Sequence, residues 1–211
     1  MRRLLPRFQF LAAQNRTYAD RLIALGAPQD RVHVTGSIKF DHLESDRENA
    51  RTAELRSYFG LEAGDRVFVA GSTQSPEEEI ALRVWQSLRE EYPTLRLVLV
   101  PRHKERFEEV ASLARRAGVP LRRRSDADSP RVRDGVAILD TLGELAACWG
   151  LAEFAFVGGS LTQRGGQNMI EPAGYGAAVC FGPNTWNFRD VVEILLNGEA
   201  ASVVKSEVEL R

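Results

Sequence analysis

Cysteine, histidine and surplus charge are all scarce in this 211-residue chain, which has two cysteines and three histidines. Cys148 and Cys180 stand in apolar surroundings without a CxxC partner. That excludes a disulfide-stapled secreted scaffold and predicts free core thiols in a reducing cytosol. His33 and His42 have no metal-ligand spacing with His103, so a zinc site is not expected, and neither metal nor cofactor is predicted. Lys and Arg number 28 against 29 Asp and Glu, a net charge of −1. A dedicated nucleic-acid binder needs a basic surplus or stripe, so no nucleic-acid partner is expected. No apolar run approaches the ~18 residues of a membrane span. The start, Met1-Arg2-Arg3-Leu4-Leu5-Pro6-Arg7, has a basic end whose apolar part is broken at once, unlike a signal peptide. Neither GxGxxG nor GxxxxGK[ST] occurs, which argues against a dehydrogenase and a P-loop enzyme.

What is present is an ordinary globular balance, 44% apolar and 27% charged, in a chain long enough to bury a core unaided. Short apolar runs alternate with helical patterns. Strands are predicted at 66–70, 95–100, 119–121, 136–139, 154–157, 177–181 and 202–204. Gly71-Ser72-Thr73 is expected to end the first of these. Helices are predicted from Ser75 to about Glu91, with Ser75 as N-cap and Glu78 closing a capping box, and from Lys104 to Ala117. Another follows the box Thr141-Leu142-Gly143-Glu144, and a fourth starts near Met169. Continuous apolar strands in β-α-β-α order predict an α/β fold, a Rossmann-like parallel sheet covered by helices on both faces. The first 45 residues differ in character. A strand at 8–13, a helix capped by Asn15 and stopped by Gly26, and a strand at 32–35 form the tail of an earlier βα unit. Ser45 to Asn49 is a linker or a helix entry. Trp85, Trp149 and Trp186 are read as packing residues.

Ligands of open parallel sheets bind outside the carboxyl ends of the strands, and there the glycines cluster. Gly71-Ser72, Gly158-Gly159-Ser160 and Gly182-Pro183 follow strands, and Gly165-Gly166 precedes a helix. Glycine lets a ligand approach the backbone, and helix N-termini present free N–H groups. Several such ends at one edge predict a site for phosphate or carboxylate that includes Ser72 and Gly166. Asn168-Met169-Ile170-Glu171 has two compatible readings: a third capping box, or a carboxylate that accepts both hydroxyls of a ribose. Arg102, just past a strand end, is either a surface arginine or a phosphate fork. His103 is more economically structural than an acid or base. Glu77-Glu78-Glu79 reads as first-turn helix chemistry. Arg122-Arg123-Arg124 reads as a solvated loop, with a phosphate or anionic-lipid contact as the alternative.

Taken in order, a series of motifs resembles the 3-deoxy-D-manno-octulosonic acid (Kdo) transferases. The series comprises Thr35-Gly36-Ser37-Ile38-Lys39-Phe40-Asp41, Ala70-Gly71-Ser72-Thr73 and Val100-Pro101-Arg102-His103 with Glu105-Arg106-Phe107. It continues through Gly143-Glu144-Leu145, Ala155 to Leu161, Gly165-Gly166-Gln167-Asn168, Glu171-Pro172-Ala173 and Phe181-Gly182-Pro183 with Asn187-Phe188. It runs from about residue 8 to about 197. The resemblance implies one half of a GT-B glycosyltransferase, in which two Rossmann-like domains face across a cleft. Residues 46–211 then correspond to the C-terminal donor domain, which binds CMP-Kdo. Residues 1–45 correspond to a remnant of the N-terminal acceptor domain, plus a linker. In the family the nucleotide contacts fall on segments that match Pro101 and Arg102, then Leu142, Gly143 and Glu144, then Asn168, Met169, Ile170 and Glu171.

The implied reaction transfers Kdo from CMP-Kdo to a lipid A precursor, with inversion, in lipopolysaccharide synthesis at the cytoplasmic face of the bacterial inner membrane. The acceptor half, with its anchor and catalytic carboxylate, has no counterpart here. No catalytic residue is therefore expected in the chain, which is expected to be soluble, cytoplasmic and able to bind donor without turnover. Two alternatives are a non-catalytic nucleotide-sugar-binding module and a GT-B enzyme using a UDP-sugar. The family often has histidine where Gln74 and Gln167 stand. Glutamine keeps a donor and an acceptor but does not titrate near neutrality, which puts proton transfer at these positions in doubt.

Overall fold

The computed structural model describes residues 4–41, 43–129 and 133–211, so the first three residues and His42 lie outside the described residues. The chain divides into two units, Met1–Leu43 and Glu44–Arg211. The first unit is a single βαβ motif. Strand β1 (Leu11–Ala13) and strand β2 (Val32–Val34) pair in parallel, joined by helix α1 (Arg16–Ala24). Asn15 caps α1 by accepting the Tyr18 N–H at 3.0 Å, and Gly26, at φ 101°, adopts the left-handed turn that ends it. Phe8 to Phe10 do not join the strand. The carbonyls of Pro6 and Phe8 instead accept Nη1 of Arg31 at 2.9 and 3.2 Å.

The second unit begins with helix α2 (Ala50–Phe59), capped by Asn49, which accepts the Thr52 N–H at 3.0 Å. Ser45 to Asn49 is therefore a helix entry. The remaining elements alternate: β3 (Arg66–Thr73), α3 (Glu77–Leu88), β4 (Leu95–Pro101), α4 (Phe107–Arg116), β5 (Leu121–Arg123) and β6 (Val136–Ile138). They continue with α5 (Leu145–Trp149), β7 (Phe154–Val157), α6 (Ile170–Gly174), β8 (Ala178–Phe181), α7 (Arg189–Asn197), β9 (Ala201–Val203) and α8 (Glu207–Leu210). Seven strands form one sheet in the order β5-β6-β4-β3-β7-β8-β9, and every neighbouring pair is parallel. This is a Rossmann-like α/β sheet.

Helix cover on both faces explains the continuous apolar runs of the central strands β3, β4 and β7. Phe68 and Ala70 pack with Leu97, Leu99, Ile138 and Phe156 against Ala81, Leu82 and Trp85 of α3 and Val110 and Ala111 of α4. Successive side chains of a strand point to opposite faces, so Val67, Val69 and Gly71 meet the other layer. There a Cβ built on Gly71 would lie 2.4 Å from the Trp149 ring, so only glycine fits. Each fully buried aliphatic side chain contributes about 1.5–3 kcal/mol. Val69, Val98, Leu99 and Ile138 belong to that class. The cysteines are both free, and burial pushes the Cys180 thiol up to about 12.

Several local expectations are corrected. Strand β3 does not stop at Ala70: it runs through Thr73, with a register irregularity at Ser72, whose φ is 54°. Ser75 is not the cap of α3: Pro76 stands at the N-cap position without a side-chain bond, and Glu78 pairs with Arg106 at 2.5 Å instead of closing a box. The strand expected at 119–121 lies at Leu121–Arg123, so Arg122-Arg123-Arg124 is not a solvated loop. Arg122 is buried and its guanidinium lies 4.3 Å from the Tyr58 ring centre. Arg123 bonds Asp140 at 2.7 Å, and Arg124 pairs with Glu54 and Glu144. Trp85 and Trp149 are buried as expected, but Trp186 is exposed.

Candidate functional site

The chain winds from β3 to one side of the sheet and then returns to place β7 on the other side of β3. The carboxyl ends of β3 and β7 therefore flank a topological switch point, where open α/β sheets bind ligands. Two features mark the crevice. Ser72 holds a left-handed conformation, and Gly158 sits so close to β3 that a Cβ built there would lie 2.5 Å from Thr73 Cα. Strain of this kind in a non-glycine residue persists only where the surroundings enforce it.

Glu77 enforces it. Its fully buried carboxylate accepts four backbone N–H groups: Gln74 at 2.9 Å, Gly159 at 2.7 Å, Ser160 at 3.0 Å and Leu161 at 2.9 Å. The loop after β7 thus forms an anion nest, and the protein's own carboxylate fills it. The expectation that Gly158-Gly159-Ser160 offers free amides to a phosphate is corrected accordingly. Free amides lie further on. Those of Gln167 and Asn168 have no acceptor among the described residues.

The other candidates all follow strand ends at this same edge, because every strand is parallel. Pro101 ends β4 and is buried. Arg102 follows it, its N–H donating to Thr73 O at 3.0 Å. Its side chain is exposed and has no hydrogen bond or ion pair among the described residues. His103 beside it is exposed too. Leu142 and Gly143 lie in the turn between β6 and α5. Leu142 is 72% exposed, and Gly143 adopts φ 84° with open space around its Cα.

Glu144 closes that turn. It is held by Arg124 Nη2 at 2.8 Å and by the Thr141 hydroxyl, so the predicted capping box is a side-chain clamp with no bond to a helix amide. The Arg124 hydrogen bonds hold the Glu144 carboxyl below the usual glutamate range, with Thr141 helping and burial opposing.

After β7, Asn168 donates to Glu171 Oε1 at 2.9 Å and accepts the Ile170 N–H at 3.0 Å. This is cap-like, but it is shifted from the expected box, whose N-cap position falls on Met169. One oxygen of Glu171 bonds Asn168 and the other has no partner among the described residues, so cap and ribose acceptor remain compatible. Met169 and Ile170 are buried, so their side chains pack inward and only backbone can face a ligand. Ser72 is likewise buried, and Gly166 donates to Gly159 O at 2.9 Å.

Comparison with known proteins adds to this geometry. Residues 1–42 match the family model described as 3-deoxy-D-manno-octulosonic-acid transferase (kdotransferase). The chain is 36% identical over 200 residues to the 3-deoxy-D-manno-octulosonic acid transferase of Haemophilus influenzae, covering 94% of this chain and 46% of the relative. A Bordetella pertussis protein of the same name is 34% identical over 95% of the chain and 46% of its own length. Among solved structures, the C-terminal CMP-Kdo binding domain of WaaA from Acinetobacter baumannii is 30% identical. It superposes with a TM-score of 0.69 over 76% of this chain and 83% of that domain. This chain belongs to the Kdo transferase family.

The chain spans about half the length of the curated relatives it matches. The fold is the Rossmann-like α/β sheet of one half of a GT-B glycosyltransferase. The Anabaena protein HepE, in complex with UDP and glucose, shares it at 15% identity, with a TM-score of 0.52 over 99% of this chain and 53% of that one. Among the described residues no helix is long and apolar enough to cross a membrane.

Sequence reasoning missed Glu77 as the staple of the switch point and Arg124 as the partner of Glu144. A signal existed for the first. Glu77 lies three residues after Gln74, the same offset that the capping-box reading assigned to Ser75 and Glu78. Arg124 gave no comparable signal, because 20 residues separate it from Glu144.

Proposed function

We propose that this protein is the donor-binding part of an inverting transferase that moves Kdo from CMP-Kdo to a lipid A precursor, in lipopolysaccharide synthesis at the cytoplasmic face of the inner membrane. Residues 46–211 hold the nucleotide sugar, and residues 1–45 belong to the acceptor side. The observation that carries this reading is the 30% identity to a CMP-Kdo binding domain over 83% of that domain. The sheet edge where Arg102, Gly143 and Asn168 all follow parallel strand ends supports it.

In the proposed mechanism a base on the acceptor side removes the hydroxyl proton of the acceptor sugar, and CMP departs. Charge then develops on the leaving phosphate. Arg102 and the free amides near Asn168 stabilise it, since preorganised donors act where charge appears. Glu171 accepts the ribose hydroxyls.

Thermal shift with CMP and UMP at equal concentration tests the reading. A ligand at 100 times its Kd stabilises by about 2.7 kcal/mol, or roughly 5–10 °C for a domain of this size. CMP is expected to raise Tm by that amount and UMP by much less. An equal or larger shift with UMP overturns the cytidylate assignment in favour of a UDP-sugar enzyme. Replacing Glu171 with alanine is expected to reduce the preference for CMP over 2′-deoxy-CMP. Unchanged discrimination in competition binding would leave Glu171 with its cap role alone.

A further inference from the structure

We propose that Gln74 and Gln167 together form the subsite for the hydroxyl groups of the donor sugar; this inference rests on the donor-binding reading. Gln74 follows β3 and Gln167 lies in the loop after β7, so they reach the switch-point crevice from opposite sides. They converge on Gly159, where a Cβ would lie 3.3 Å from Gln74 Nε2 and 3.4 Å from Gln167 Nε2. Glycine, in a left-handed conformation at φ 65°, leaves that space open. Gln74 is 9% exposed, and neither carboxamide has a hydrogen-bond partner among the described residues. The amide groups are open to solvent, Gln167 being half-buried, so both are available to a ligand. Two such groups facing one opening are arranged for a polar ligand.

The chemistry of the crevice selects the group. A primary amide offers both N–H donors and a carbonyl acceptor, matching the donor and acceptor character of a sugar hydroxyl. The buried Glu77 carboxylate lies directly beneath, bonded to the Gln74 and Gly159 amides. A ligand carboxylate there would meet a like charge, which disfavours it. A hydroxyl would not. The sugar carboxylate is therefore directed away from this pair, towards the unpaired Arg102.

Titration calorimetry of the intact chain with CMP and with CMP-Kdo tests the proposal. In wild type CMP-Kdo binds more tightly than CMP. Q74A and Q167A each weaken CMP-Kdo about five- to tenfold and leave CMP within twofold, on the scale of one lost hydrogen bond. Q74N, which keeps the amide but shortens its reach, recovers part of the loss. In R102A the Kdo carboxamide analogue of the donor loses only what CMP itself loses, whereas CMP-Kdo loses more. Equal weakening of CMP and CMP-Kdo by the glutamine variants, or no weakening of either, overturns the proposal. So does a wild type that binds CMP and CMP-Kdo equally, while leaving the donor-binding reading intact. Failure of wild type to bind CMP overturns both.

Discussion

Arg102→Ala lowers CMP affinity by about 1.5–3 kcal/mol, or roughly ten- to a hundredfold, as expected for a lost charge-assisted contact. The fold is left almost unchanged. The guanidinium is exposed and makes no hydrogen bond or ion pair among the described residues. Surface substitutions of that kind shift stability by less than about 0.5 kcal/mol. The backbone amide that ties this position to Thr73 is kept whatever the side chain. Calorimetry and thermal denaturation on the same preparation check both halves. Unaltered CMP affinity would remove Arg102 from the phosphate site. A large loss of stability would mean that its side chain supports the fold. Arg102→Lys separates charge from geometry. Lysine supplies a point charge without the planar fork, so it is expected to restore only part of the affinity.

The opposite pattern is expected at Glu77. Alanine there strips the acceptor from the amides of Gln74, Gly159, Ser160 and Leu161 at once. A buried donor without a partner costs about 1–3 kcal/mol. Partial relaxation and entry of water lower the total, so a loss of about 4 kcal/mol is expected. That corresponds to a fall in Tm of roughly 8–16 °C for a domain of this size. Glu77→Gln keeps one oxygen but turns an NH2 towards backbone donors, and is expected to cost about half as much. Glu79, two residues further along α3, has a side chain 52% exposed. Its alanine variant is expected to stay within about 0.5 kcal/mol of wild type. Urea denaturation of the three variants provides the comparison. A Glu77→Ala protein within 1 kcal/mol of wild type would show that the nest does not depend on this carboxylate.

The legible parts of this protein are those carried by short-range pattern. The run Phe154-Ala155-Phe156-Val157 forms β7 at the expected residues, and Asn15 caps α1. Both depend only on neighbours in the chain. The position of Arg102, Gly143 and Asn168 beyond strand ends was legible for the same reason. Once the strands are parallel, their carboxyl ends must share an edge. The illegible parts depend on partners distant in sequence. Arg122-Arg123-Arg124 has the composition of a loop, yet Arg122 and Arg123 lie in the edge strand β5 and Arg124 just past it. Tyr58, Asp140 and Glu144, none of them adjacent, compensate their charges. Ser75 and Glu78 have capping-box spacing, but the Glu78 carboxylate pairs with Arg106 across 28 residues of chain and Pro76 takes the N-cap position. One carboxylate oxygen of Glu77 reaches the amides of both Gln74 and Gly159, so the helix start is tied to a loop 82 residues away.

By itself, then, the sequence determined the layer architecture, the parallel sheet and the family, because apolar runs and ordered motifs encode them locally. Only the tertiary structure decided which amides are free for an anion and which are already taken. It also decided which side chains at the edge remain unpaired. Those are questions of hydrogen-bond competition between groups that folding alone brings within 3 Å.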